Sequence, residues 1–85
     1  MTPLAIINLS NIRYNLLLFK RIAKKPICFP VKANAYGHGI VEVAKATQDI
    51  VECFGVANLD EGIILRENGI KNDILLFSAF FKEEI

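Results

Sequence analysis

The part of this sequence whose residue types and order could do chemistry is Val31-Lys32-Ala33-Asn34-Ala35-Tyr36-Gly37-His38-Gly39. It follows Ile27-Cys28-Phe29-Pro30, a short apolar run of the kind that forms a buried strand. A lysine directly after such a strand stands at its carboxyl end, where sites collect in sheets built from βα units. Partial desolvation there lowers the pKa of the amine and frees it for Schiff-base chemistry. Ala33 and Ala35 leave room for a planar cofactor, and Gly37 and Gly39 let backbone approach a ligand closely. Tyr36 adds a hydroxyl donor within the same loop. Taken singly these residues say less. A lone lysine after a strand is usually a solvated charge, two glycines usually make a turn, and His38 usually serves a loop or a helix cap. The glycines match neither a Walker nor a dinucleotide-binding pattern.

The elements that must position this segment are legible from periodicity. Leu4 to Leu9 reads as a first strand, being short, apolar and partly β-branched. Ser10 or Asn11 can cap a following helix. Ile12, Leu16, Phe19 and Ala23 then recur at helical spacing, with Arg13, Lys20 and Lys24 turned away. Lys24 and Lys25 suit a helix carboxyl end, and Pro26 stops the helix. Ile27 to Val31 is the second strand. Ile40 to Gln48 reads as a helix with Ile40, Val43, Ala44 and Thr47 on one face. Cys53 to Ala57 is a third strand. Asn58 or Asp60 caps a helix running to about Asn68, with Gly69 as its terminating residue. Ile74 to Ser78 is a fourth strand, and Ala79 to Ile85 begins a new segment. Strands that alternate with helices of this length, and that are apolar almost throughout, predict parallel βα units covered on both faces.

The chain has 85 residues, of which 53% are hydrophobic and 22% charged. That excludes a disordered tail. Ten basic and nine acidic side chains give a net charge of +1, which offers no electrostatic case for nucleic acid, a membrane surface or an acidic partner. No apolar run reaches the ~20 residues of a membrane span, and no signal peptide is visible, so the expected compartment is the cytoplasm. Cys28 and Cys53 are far apart in sequence and lack metal-ligand spacing. They are expected to be plain buried thiols, with no metal site and no disulfide. Pro30 is awkward in a central strand, because it lacks a ladder N–H, and is expected at a strand end or bulge.

Taken whole, Val31 to Gly39 resembles the pyridoxal-phosphate (PLP) attachment segment of the alanine racemases. The likeness extends to Ile7-Asn8-Leu9, Phe54-Gly55-Val56-Ala57, Leu59-Asp60-Glu61-Gly62, Leu65 to Ile70 and Ile74-Leu75-Leu76. It implies an α/β fold: the N-terminal βα units of a (β/α)8 TIM-type barrel, incomplete in a chain supplying about three of the eight units. Residues 1–85 would then be an N-terminal fragment of the PLP-binding barrel domain, inactive by itself.

The resemblance also implies roles. Lys32 would bond PLP and act as one of two bases in racemisation. Tyr36 would hydrogen-bond the cofactor phosphate. Phe77 falls where the family places an apolar residue near the cofactor. Arg66 and Glu61 match family positions but read as structural, either as a helix-surface pair or as a polar rim. The second base, a tyrosine, would come from a C-terminal domain of a partner subunit, which implies a homodimer. The implied substrate is alanine, and in bacteria the D-alanine feeds peptidoglycan. A racemase or decarboxylase of another amino acid on the same fold is an alternative, although Tyr36-Gly37-His38-Gly39 argues against the decarboxylases. A non-catalytic truncated chain that binds no cofactor is an alternative of another class.

Overall fold

The computed structural model describes residues 3–31 and 39–77, with side chains from Leu9 onward. Its first element is a single helix, α1, over Pro3–Ala23. The strand expected over Leu4 to Leu9, and with it the family-like strand entry at Ile7-Asn8-Leu9, is therefore corrected to helix. A short apolar run has no periodicity of its own to separate the two states. Pro3 takes the first helical position, where its missing N–H is no loss. Each residue added to a growing helix then gains a backbone bond without a new nucleation cost.

Helix α1 ends in an unusual way. Lys24 adopts the left-handed conformation at φ 56°. Its N–H closes the last turn on the Lys20 carbonyl at 2.9 Å. The inward face of α1 also differs from expectation. Leu9 and Leu16 pack on the core, and Arg13 and Lys20 lie on that same side, whereas Phe19 is 55% exposed. Residues 9, 13, 16 and 20 follow the spacing of one helical face, so the long basic side chains share the seam with the apolar ones.

The remaining elements follow the expected alternation: β1 (Cys28–Pro30), α2 (Ile40–Thr47), β2 (Cys53–Val56), α3 (Leu59–Glu67) and β3 (Asp73–Leu76). The three strands form one parallel sheet in the order β1-β2-β3. Cys28 pairs with Cys53 and Pro30 with Gly55, and Gly55 in turn pairs with Leu75. Sequential parallel strands joined by helices are consecutive βα units.

The core lies between one face of the sheet and the helices. All four residues expected on the inner face of α2, Ile40, Val43, Ala44 and Thr47, are buried. They meet Val31, Phe54, Val56, Leu65 and Ile70. Asn58 caps α3, its side-chain oxygen accepting from Glu61 N at 2.9 Å. Gly69 terminates α3 at φ +84°, a conformation glycine adopts without strain. Gly62 lets α3 approach the sheet: a Cβ there would sit 3.7 Å from Ile74 and 3.8 Å from Val56. Among the described residues no helix is long and apolar enough to cross a membrane.

Candidate functional site

The segment 32–38 begins where β1 ends and finishes where α2 starts. Lys32, Tyr36 and His38 lie outside the described residues, but the two ends that hold the segment do not. Val31 is buried and donates its N–H to the Gly55 carbonyl at 2.9 Å. Two hydrogen bonds fix the start of β1, since Glu52 N and Cys53 N both donate to the Ile27 carbonyl, at 3.0 and 3.1 Å. At the other end, Gly39 is extended (φ −72°, ψ 155°) and its carbonyl accepts from Val43 N at 3.2 Å, opening α2. Both anchors stand on the carboxyl side of the parallel sheet.

The ladder also explains Pro30. Ile27 and Val31 turn their backbone polar groups towards β2. Peptide directions alternate along a strand, so residue 30 turns the other way, towards the open edge of β1. The missing N–H of Pro30 therefore breaks no bond in this sheet. It occupies the last strand residue, as a proline in this position must.

Among the described residues, no helix lies on the sheet's second face. Side chains alternate along a strand, so Cys28 and Pro30 of β1 share that face with Cys53 and Gly55 of β2 and with Leu75 and Phe77 at β3. Five of these six residues, all but Cys53, border a shallow depression of about 280 Å³. Phe77 lies just past β3, its N–H on the Val56 carbonyl at 3.2 Å. Its ring lies across Gly55, where a Cβ would come within 2.9 Å of the ring edge. Gly55 thus makes room for the edge of an aromatic ring beside Pro30, the last residue of β1.

The two cysteines differ from expectation. They are not core residues: Cys28 is exposed and Cys53 half-buried, both free thiols on the open face. Burial against its apolar neighbours pushes the Cys28 thiol up to about 11, with a smaller contribution from the adjoining Cys53 thiol. No metal-binding group of three or more His, Cys, Asp or Glu side chains occurs among the described residues. The cross-strand cysteine pair was missed in the sequence, although a signal was present. Cys28-Phe29-Pro30 and Cys53-Phe54-Gly55 are like triplets, and the sheet pairs them residue by residue.

Glu61 and Arg66 are structural, each with its own task. Glu61 is buried and accepts the N–H of Ala57, the residue before the Asn58 cap, at 2.8 Å, which ties the chain entering α3 to its first turn. Arg66 donates to the Ile70 and Asn72 carbonyls at 2.7 and 2.8 Å and ties the α3–β3 turn.

Comparison with known proteins decides the lineage of this arrangement. Residues 7–85 match the family described as alanine racemase, N-terminal domain. The chain belongs to that family. It is 49% identical over 81 residues to an alanine racemase of Fusobacterium nucleatum, covering 93% of this chain and 23% of that protein. It is 49% identical over 74 residues to an alanine racemase of Haemophilus influenzae, covering 86% and 21%. Among solved structures it resembles alanine racemase from Oenococcus oeni with a TM-score of 0.69 and 38% identity, over 81% of this chain and 20% of that one. The chain thus spans about a fifth of the length of the alanine racemases it matches. Within the family its fold class is the N-terminal βα units of a TIM-type barrel, as the resemblance implied.

Proposed function

We propose that Lys32 is the residue that bonds pyridoxal 5′-phosphate in an enzyme interconverting L- and D-alanine, and that residues 1–85 form the opening part of its cofactor-binding barrel domain. The observation that carries this reading is the place of the segment. Lys32 follows Val31 directly, and Val31 is fixed by its bond to Gly55 at the carboxyl edge of a parallel sheet.

The described surroundings fit the cofactor. A planar heterocycle needs a flat apolar support, and the Phe77 ring across Gly55 beside Pro30 offers one. The segment adds an amine at Lys32 to hold the group and a phenol at Tyr36 to bond its phosphate. When bound, PLP supplies an electron sink that makes the substrate's α-proton removable. The chain's own contribution is positioning and proton transfer. Lys32 Nζ holds the cofactor and moves a proton to or from the α-carbon on one face. Inverting the centre calls for a second base on the opposite face, which in this reading is supplied from outside residues 1–85. Alanine as substrate, a homodimeric assembly, a cytoplasmic location and a role in supplying D-alanine for peptidoglycan belong to the same reading.

The test begins with the chain itself. Incubation with PLP, reduction with borohydride and peptide mass analysis should place a single pyridoxyl group on Lys32, absent from Lys32→Ala. Absence of an adduct, or adducts spread evenly over the other lysines, overturns the assignment. In the full-length enzyme, Lys32→Ala should abolish formation of D-alanine.

A further inference from the structure

We propose that Gly55 is a positioning residue for the cofactor. Because it carries no side chain, the edge of the Phe77 ring can come down against the sheet, and this sets the height of the apolar support offered to PLP. The role rests on the assignment of Lys32 and PLP given above, and extends it to a residue that acts only through another.

A glycine at this place needs a physical reason. Gly55 is buried in β2, the central strand, and is paired on both sides, with Pro30 of β1 and with Leu75 of β3. A strand interior disfavours glycine, which has more backbone entropy to lose and no side chain to pack. Backbone conformation does not call for it either. Among the described glycines only Gly69 takes a positive φ.

The remaining reason is space. A Cβ at position 55 would stand 2.9 Å from Cε1 and 3.3 Å from Cδ1 of Phe77, but 3.6 Å from Cα of Pro30. The last distance is an ordinary contact, so the Phe77 ring alone bars a side chain. Gly62 supplies the contrast. There the nearest atoms would lie at 3.7 and 3.8 Å, and a methyl group fits.

The ring cannot make way by moving its own backbone. The Phe77 N–H is held on the Val56 carbonyl at 3.2 Å, which carries the β2–β3 ladder one residue past β3. Relief must come from side-chain torsions. A Cβ on a strand projects out of the sheet, so a methyl group at position 55 pushes the ring edge outwards. In the reading above, Lys32 and the Tyr36 phosphate contact fix where the cofactor sits. A raised ring then overpacks it, as any atom inserted into a filled contact does.

The full-length enzyme is stripped of PLP and titrated with it, following the absorbance and circular dichroism of the bound cofactor. Gly55→Ala should raise the PLP dissociation constant roughly 10-fold or more and alter the dichroism of the bound band. Phe77→Leu, which removes the ring, should weaken binding by itself. Adding Gly55→Ala to it should then change the constant by less than about 2-fold, since the two positions act as one contact. Unchanged affinity and dichroism in Gly55→Ala would overturn the proposal. So would a loss on adding Gly55→Ala to Phe77→Leu as large as in the unaltered enzyme. The comparison within the Phe77→Leu background remains decisive if Gly55→Ala alone does not fold. An unaltered enzyme that takes no PLP on Lys32 would overturn the cofactor assignment itself, and the role of Gly55 with it.

Discussion

Helix α1 and the α2–α3 pair both flank this small sheet, but they are held by different physics. Helices α2 and α3 sit on packing: Val43, Ala44 and Leu65 are fully buried, and Thr47 joins them by bonding its hydroxyl to the Val43 carbonyl at 2.8 Å. Helix α1 has no fully buried side chain among its described residues. Beside the partly buried Leu9 and Leu16, it hooks on through two cations. Arg13 reaches the Ala46 carbonyl at 2.6 Å and Asp49 at 2.8 Å. Lys20 reaches the Ile50 carbonyl at 2.6 Å and Glu52 at 2.6 Å, and Glu52 in turn accepts the Ile27 N–H at 2.8 Å. Its outer side leaves Tyr14, Leu17, Leu18, Phe19 and Ile22 exposed. Packing of large apolar residues involves no charge that salt could screen or pH could titrate. Exposed ion pairs contribute little, are screened, and depend on the charge of each partner. The contrast teaches that the βα units carry the fold, while α1 is fastened to it by groups that solution conditions can release.

The comparison can be broken or sharpened by experiment. The largest effect belongs to the packed side. Leu65→Ala should cost about 2–5 kcal/mol in chemical unfolding, as expected for a large side chain lost from a closed core. Leu17→Ala, on the outer side of α1, should stay within about 0.5 kcal/mol. Equal losses at the two positions would refute the distinction. A smaller effect concerns the two left-handed helix ends. Gly69→Ala should cost about 1–2 kcal/mol, whereas Lys24→Gly should gain about 0.5–1 kcal/mol by relieving a conformation that a side chain resists. A loss on Lys24→Gly would show that the lysine side chain is needed there.

The smallest effect is titration of the α1 hooks. Arg13 holds the Asp49 carboxyl below its ordinary value, and Lys20, with the Ile27 N–H, does the same for Glu52. A carboxylate whose pKa is lowered on folding stabilises the folded state above its unfolded pKa and loses that contribution as pH falls through the folded value. Amide shifts of α1 should therefore move towards those of a detached helix as pH is lowered past about 4, and those of α2 should lag behind. Coincident transitions would mean that α1 and the βα units come apart as one.

What could be read in the sequence follows the same divide. The helix expected over residues 40–48 and found over 40–47, its four inward residues, Asn58 as one of two candidate caps, and the Gly69 terminus are all local patterns that the structure bears out. The Lys32 segment was the strongest chemical signal, and the family to which it pointed is the one the chain belongs to. Misreadings arose where local pattern ran out. Leu4 to Leu9 lies inside a helix, because a six-residue run that is apolar but for Asn8 carries no decisive period. Arg13 and Lys20 face the body, because Ala46, Asp49, Ile50 and Glu52 meet them there, about thirty residues further along the chain.

The sequence by itself determined the chemistry on offer and the order of the units. A lysine after a strand, a phenol four residues on and a βα rhythm are one-dimensional facts. Only the tertiary structure decided which side chains meet. It placed Pro30 where its missing N–H breaks no ladder bond, laid Phe77 across Gly55, and set Cys28 opposite Cys53. These contacts depend on strand register, which arises from pairing between segments about 25 residues apart, and no local periodicity encodes that pairing.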